Sequence, residues 1–253
     1  MNFFFGFKNN NYVSEIQIPK FQNRNFTDKQ INLYRADILG SFWEIDQVSG
    51  SEEDDYFYFL KDQLIDNKVI FFLAKESEIK SSKEKKLLKY NKYTETSPAF
   101  RANFIIKKKD GGFSSYQSEY PFNMAVKNGS VVSGVSSLTN INANKNYIIF
   151  RNIFIDPIEK PFEVFFINIK TNKILKRKQF YTNRTNILEI EDELLLPEIY
   201  FVSQNYLGVP IYLSEKNGHL SFEHTHPPHT YFMSNNKFKK VSELKKEVYE
   251  IIN

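Results

Sequence analysis

Hydrophobic runs rich in β-branched and aromatic residues recur through the second half of the chain, with turn residues between them. They span residues 147–155, 162–169, 186–190, 199–203 and 209–214. Short strands at such regular spacing are typical of an all-β sandwich or a small β-barrel. The pattern therefore predicts a mainly β fold, with a β-sandwich or barrel domain over residues 96–253.

The end of that domain shows a different pattern. Leu244, Val248 and Ile251 form an apolar stripe at helical spacing, while Lys245 and Lys246 lie on the outer face. This amphipathic pattern predicts a C-terminal helix with Ser242 as its N-cap, so the strands are expected to end near residue 235.

The first 95 residues carry a mixed pattern. Thr27 and Gln30 have the form of a capping box, and apolar residues follow at helical spacing, which predicts a helix over residues 28–38. Residues 69–73 predict a buried strand. A lysine-rich run then changes the composition, so we predict an α+β segment over residues 1–95 that need not fold alone.

Glycine-containing turns predict three β-hairpins. The turns lie at residues 110–112, at Asn128-Gly129 and at Asn217-Gly218. Asn-Gly is the strongest of these signals, because a type I′ turn needs positive φ at both central residues. With Asn217-Gly218 as the turn, Ile211 lies opposite His224 and Val209 lies opposite His226.

The four histidines of the chain cluster beside that turn. They are His219, His224, His226 and His229. Side chains alternate faces along a strand, so the apolar face of this hairpin also carries His224 and His226, both directed inward. Tyr212 and Glu223 lie on the opposite, more polar face.

Two adjacent inward imidazoles need partners, because a buried polar group without one costs about 1–3 kcal/mol. A divalent metal such as zinc, iron or manganese satisfies this need. Pro227-Pro228 turns the chain and brings His229 back as a third ligand. Glu223 is a candidate either for hydrogen bonding to a metal ligand or for acid–base catalysis. In the competing interpretation, the histidines are structural and bond to carbonyls, carboxylates or water.

Gly218 followed by His224-Thr225-His226 resembles the opening of the first metal motif of the cupin family. That resemblance implies a small β-barrel whose two histidines bind iron, manganese or another divalent metal. The family's glutamate is missing, since Thr230 and Tyr231 occupy its places. The resemblance therefore describes the geometry of the hairpin and does not assign the chain to the family.

A second polar and aromatic stretch covers residues 114–121. Its Tyr116, together with Tyr212 of the hairpin, supplies candidate hydroxyl groups for binding a ligand. A small molecule or a carbohydrate is the expected partner class.

Composition removes several other functions. Cysteine is absent, which excludes disulfide frameworks, thiolate zinc sites and cysteine nucleophiles. The net charge of +4 comes mostly from lysine rather than arginine, so nucleic acid is not expected. No apolar run approaches the ~20 residues of a membrane helix, and the N-terminus lacks a signal-peptide pattern, so we expect a cytoplasmic protein without a membrane partner.

Two functional hypotheses follow. In the first, the chain is a metal-dependent enzyme of cupin-like geometry, with His224, His226 and His229 as ligands. In the second, it is a non-catalytic β-sandwich that binds a carbohydrate or a protein partner. The first requires a concave pocket beside His224 and His226, with a further carboxylate or histidine within ligand distance. The second predicts an exposed aromatic patch elsewhere and no convergence of polar groups at the end of the hairpin.

Overall fold

The structure is a computed structural model that describes residues 1–22, 25–26, 31–90, 102–224 and 235–253. No helix in this described part of the chain is long and apolar enough to span a bilayer.

Strands account for most of the regular structure. In the first part of the chain they are β1 (Asn2–Phe3), β2 (Tyr12–Pro19), β3 (Phe21–Gln22), β4 (Asn25–Phe26), β5 (Ile31–Leu39), β6 (Phe42–Gln47), β7 (Glu52–Glu53), β8 (Phe57–Leu60), β9 (Ile70–Lys75) and β10 (Lys83–Glu84). After residue 101 they are β11 (Asn103–Lys108), β12 (Phe113–Gln117), β13 (Tyr120–Pro121), β14 (Val131–Gly134), β15 (Lys145–Arg151), β16 (Pro161–Asn168), β17 (Lys173–Tyr181), β18 (Thr185–Ile190), β19 (Ile199–Ser203), β20 (Val209–Lys216) and β21 (His219–His224). The α-helices are α1 (Phe122–Ala125) and α2 (Lys237–Ile252).

Four antiparallel sheets organise these strands. Sheet I has the order β10-β6-β5-β9, and sheet II has the order β12-β11-β2-β8-β7. Sheet III has the order β18-β15-β20-β21, and sheet IV has the order β14-β19-β16-β17. β1–β13 and β3–β4 form two small pairs beside them.

Sheet III lies between two hydrophobic cores. Alternate residues of β15 face opposite ways: Tyr147 and Ile149 join the core shared with sheets I and II, while Ile148 and Phe150 join the core shared with sheet IV. A strand that is buried on both faces has no need of polar alternation, which explains the continuous apolar run of β15.

The outer face of sheet IV is covered by α2. Val248 is fully buried against Phe165, Ile167 and Val202. The predicted stripe of the C-terminal helix is therefore confirmed. The helix begins earlier than predicted, at Lys237, so Ser242 lies inside it and is not its N-cap.

The mainly β class is confirmed. The four sheets pack one after another, however, in an arrangement that resembles the blades of a propeller more than one sandwich or one barrel.

The predicted helix over residues 28–38 is wrong where the structure describes it. Residues 31–39 form β5, which pairs with β6 on one side and β9 on the other. Tyr34 is buried as well as Ile31 and Leu33. Burial on both faces breaks the simple two-residue alternation, and tertiary pairing overrides the local helical spacing. The proposed cap at Thr27 lies outside the described residues.

The predicted division near residue 95 stays a prediction, since residues 91–101 lie outside the description. The strands on either side of it are closely joined. β2 pairs along its length with β11, from Gln17 opposite Asn103 to Tyr12 opposite Lys108.

Candidate functional site

The histidine hairpin has the predicted register. Asn217 and Gly218 have φ angles of 50° and 84°, the left-handed values that the turn requires. Lys216 pairs with His219, and Ile211 pairs with His224. The pairing of Val209 with His226 lies outside the described residues.

The opposite face of this hairpin is not solvated at Tyr212. Its side chain is fully buried, and its hydroxyl lies 2.8 Å from the Ser133 hydroxyl. Burial raises the pKa of the Tyr212 phenol well above its usual range. The prediction of a polar face is wrong here because sheet IV packs against it, so Tyr212 is a core residue and its predicted ligand role has no open access.

His224 meets another predicted site residue, Tyr116. The two rings lie 4.3 Å apart in an edge-to-face arrangement, because β12 of sheet II runs beside β21 of sheet III. The hairpin turns also touch, with the Gly112 amide donating to the Gly218 carbonyl at 2.8 Å. The structure thus brings together Tyr116 and His224 from separate parts of the sequence.

Only Glu223 and His224 of the predicted metal centre lie within the described residues. Glu223 is exposed and lies on the strand face opposite to His224, as the register predicts. His226 and His229 lie outside the described residues. Among the residues that are described, no group of three or more potential ligands is placed to hold a metal ion.

A different site, which the sequence did not reveal, lies beyond the end of β15. A cleft of about 340 Å³ is formed by three loops and by Asn128. Its described lining residues are Asn128, Phe154, Asp156, Ile158, Lys160, Thr182, Asn205 and Tyr206. We refer to it as the Tyr206 cleft.

Buried polar side chains build the floor of the Tyr206 cleft. The Asn183 carboxamide accepts from the Phe154 amide at 2.6 Å and donates to the carbonyls of Asp156 and Ile158 at 2.8 and 3.1 Å. Thr182 donates to the Ile158 carbonyl at 2.6 Å and accepts from the Lys160 amide at 3.0 Å. These bonds fix the backbone of residues 154–160, so the wall of the cleft is preformed.

The loop that carries Tyr206 is linked by Asn152 to the hydrogen bonds of Asn183. Asn152 donates to the Leu207 carbonyl at 2.5 Å, and its oxygen accepts from the Asn183 amide at 3.2 Å. Gly129 packs closely against Leu207, where a Cβ would lie 2.6 Å from Leu207 Cγ. The absence of a side chain at residue 129 therefore lets the neighbouring Asn128 lie against the Tyr206 loop and line the cleft.

Aromatic rings form one side of the cleft. Tyr206 stacks on Phe162 with centroids 4.3 Å apart and planes at 20°, and the Phe154 ring meets Tyr206 edge-on at 5.7 Å. One face of Tyr206 is therefore covered, and its ring is held as a rigid platform.

Several polar side chains beside the Tyr206 ring have no hydrogen-bond partner among the described residues. The side chains of Asn128, Asn205 and Lys160 are exposed and make no hydrogen bond or ion pair to any described residue. Asp156 is the one carboxylate among the described lining residues, and it pairs with Lys86 at 3.4 Å.

Sequence reasoning missed this cleft because each of its parts resembles an ordinary turn. Asp156-Pro157 serves as a strand separator, and Asn128-Gly129 has the form of a hairpin turn. That hairpin prediction is wrong, since α1 ends at Ala125 and β14 pairs with β19. In the structure, Asn183 and Asn205 have left-handed φ angles of 55° and 65°, a turn conformation that asparagine tolerates well.

The chain matches no protein-family model, no curated protein and no solved structure.

Proposed function

We propose that this chain is a non-catalytic carbohydrate-binding protein whose ligand lies in the Tyr206 cleft. The observation that carries the proposal is the fixed ring of Tyr206 beside the side-chain amides of Asn128 and Asn205, which bond to no described residue. A sugar has an apolar face that packs on an aromatic ring, and a rim of hydroxyls that both donate and accept hydrogen bonds. Tyr206 provides the first surface, while Asn128 and Asn205 provide donors and acceptors together.

Other ligand classes fit the cleft less well. A purely apolar ligand favours an enclosed apolar cavity, whereas amides, Asp156 and Lys160 occupy this rim. A compact phosphate ligand favours an arginine fork or a helix N-terminus, and the described lining residues offer neither. Glycoside hydrolysis needs two carboxyl groups that flank the bond, and only Asp156 is present among those residues.

Replacement of Tyr206 by alanine is expected to weaken sugar binding at least about tenfold, because the platform is removed. Replacement by phenylalanine keeps the ring and is expected to keep most of the affinity. The measurement is a glycan array on the purified chain, followed by calorimetric titration of the sugars that bind.

Tyr56→Ala is the matched control, because Tyr56 is 51% exposed and does not line the cleft. Circular dichroism reports whether each variant is folded. Binding that survives in a folded Tyr206→Ala variant, or the absence of binding to every sugar on the array, would reject the proposal.

The metal site stays a separate prediction. Elemental mass spectrometry of the wild type and of a His224→Ala/His226→Ala variant tests it. Near-stoichiometric zinc, iron or manganese that is lost in the variant would establish the site and support the enzyme hypothesis. Wild-type protein that contains no metal and takes up none of these ions would remove it.

A further inference from the structure

A second cavity adjoins the Tyr206 cleft. It has a volume of about 580 Å³ and lies between the turn of the β5–β6 hairpin and residues 156–159. Asp156 and Ile158 line both cavities, so residues 156–158 lie between them and are called the ridge. We refer to the two adjoining cavities together as the ridge groove.

The ridge is held from both sides. Asn183 and Thr182 fix it from the Tyr206 cleft, through the Asp156 and Ile158 carbonyls. From the other side, the Ile155 carbonyl accepts from Trp43 Nε1 at 2.7 Å and from the Leu87 amide at 2.9 Å. The groove is therefore preformed along its length, which reduces the entropy that an extended ligand loses on binding.

Positive charge is in excess along the ridge groove. The two carboxylates are already paired: Asp156 lies 3.4 Å from Lys86, and Glu159 lies 2.9 Å from Lys68 and 3.4 Å from Arg184. Two further lysines, Lys160 in the Tyr206 cleft and Lys85 in the second cavity, form no ion pair with any described residue. Each cavity therefore has a lysine that no carboxylate in the described part of the chain neutralises.

We propose that the ridge groove binds an acidic oligosaccharide, with one sugar on Tyr206 and its chain crossing the ridge toward Phe42. Lys160 and Lys85 then hold acidic groups of successive parts of the ligand. This inference rests on the proposed carbohydrate function and adds the charge and length of the sugar. A single-stranded nucleic acid fits less well, since its binding grooves combine several stacking rings with a track of basic residues.

The probes are oligogalacturonates from the single sugar to the hexamer, neutral cello-oligosaccharides of the same lengths, sulfated galactose oligomers and oligothymidylate. Calorimetric titration at low and moderate salt gives each affinity. We expect the acidic series to bind more tightly with length until both cavities are filled, and to weaken as salt rises. The neutral series is expected to bind about tenfold or more weakly at equal length. The two acidic series show whether carboxylate or sulfate is preferred.

Two lysine variants separate the cavities. Lys160→Ala is expected to weaken acidic ligands of every length about tenfold. Lys85→Ala is expected to leave the affinity for the single sugar within about twofold of the wild-type value. It is also expected to remove the increase in affinity with oligosaccharide length. Lys246→Ala on α2 is the control, because Lys246 is exposed and lines neither cavity.

The possible results distinguish a failure of the acidic-oligosaccharide inference from a failure of the carbohydrate function. Neutral sugars that bind as tightly as acidic ones, in a Tyr206-dependent way, would overturn this inference and leave the carbohydrate function standing. Acidic sugars whose affinity does not depend on length or on Lys85 would overturn the two-cavity groove. Tighter Lys160-dependent binding of oligothymidylate than of any sugar, or no sugar binding at all, would overturn both proposals.

Discussion

Replacing Arg151 with alanine is expected to lower the free energy of unfolding by about 4 kcal/mol, or the melting temperature by about 10 °C. Arg151 is fully buried at the end of β15. Its guanidinium donates to the carbonyls of Asn67 and Lys68 at 2.7 and 3.0 Å and to the Thr185 hydroxyl at 3.2 Å. Alanine would leave a cavity under the ring of Phe5 and a carbonyl without its donor.

Methionine at the same position is the informative control. No carboxylate among the described residues lies within ion-pair distance of Arg151, and burial lowers the pKa of its guanidinium to about 9. Hydrogen bonds, and no ion pair to a described residue, offset the desolvation cost of this charge. Arg151→Met removes that cost while filling most of the volume. We expect Arg151→Met to lose only about 1–2 kcal/mol.

Urea unfolding of the wild type and the two variants measures these losses. Equal destabilisation by alanine and methionine would contradict the cavity as the main cause. An Arg151→Ala variant as stable as the wild type would contradict the structural role of Arg151 altogether.

Alkaline pH is expected to unfold the protein cooperatively, with a midpoint about one to two pH units above the ordinary tyrosine pKa of about 10. Burial raises the pKa of Tyr58 to about 12, and raises the pKa values of Tyr12, Tyr90, Tyr120 and Tyr212 further. All five side chains are buried in the hydrophobic cores, where a phenolate is poorly solvated.

The direction in which stability changes with pH follows from the protons that the folded and unfolded chains bind. Above pH 10 the unfolded chain releases the phenol protons, while the folded chain keeps them, so stability falls as pH rises. Each buried tyrosine lowers stability by about 1.4 kcal/mol per pH unit between its unfolded and folded pKa values.

Tyrosinate absorbance and circular dichroism, followed together from neutral to strongly alkaline pH, check this expectation. The buried phenols should ionise only as the fold is lost. A Tyr212→Phe/Ser133→Ala variant removes one hydroxyl pair without leaving a partner and should raise the alkaline midpoint. Ionisation of all tyrosines near their ordinary pKa, with the fold intact, would contradict the account.

The sequence predicted best where local chemistry and burial agree. At residues 209–224 the Asn217-Gly218 turn fixed the pairing, and the apolar alternation identified the core face, so the register of Ile211 with His224 is confirmed. The apolar stripe of α2 is confirmed for the same reason, because periodicity and packing coincide at Val248.

Other elements were hidden by tertiary structure. β5 has apolar residues that fit a helical spacing, and its neighbours β6 and β9 decide the outcome. β17 was missed because its lysines resemble a loop, although charged residues are usual on an edge strand such as this one. Tyr212 was placed on a polar face, since nothing local shows that a second sheet packs there.

The Tyr206 cleft could not be predicted because its parts are distant in sequence. Asn128, Asp156, Thr182 and Tyr206 come from separate turns, and only the packing of sheets III and IV brings those turns together. In each turn, polar residues have an adequate local explanation. Their convergence on one aromatic ring is a property of the fold.

The central claim is that a sugar lies on the ring of Tyr206. A crystal structure of the chain with an oligogalacturonate trimer tests this claim most directly. The account predicts a sugar ring parallel to Tyr206, hydrogen bonds from Asn128 and Asn205, and an acidic group beside Lys160. A trimer bound elsewhere on the protein with the Tyr206 cleft unoccupied, for example beside Tyr116 and His224, would contradict it.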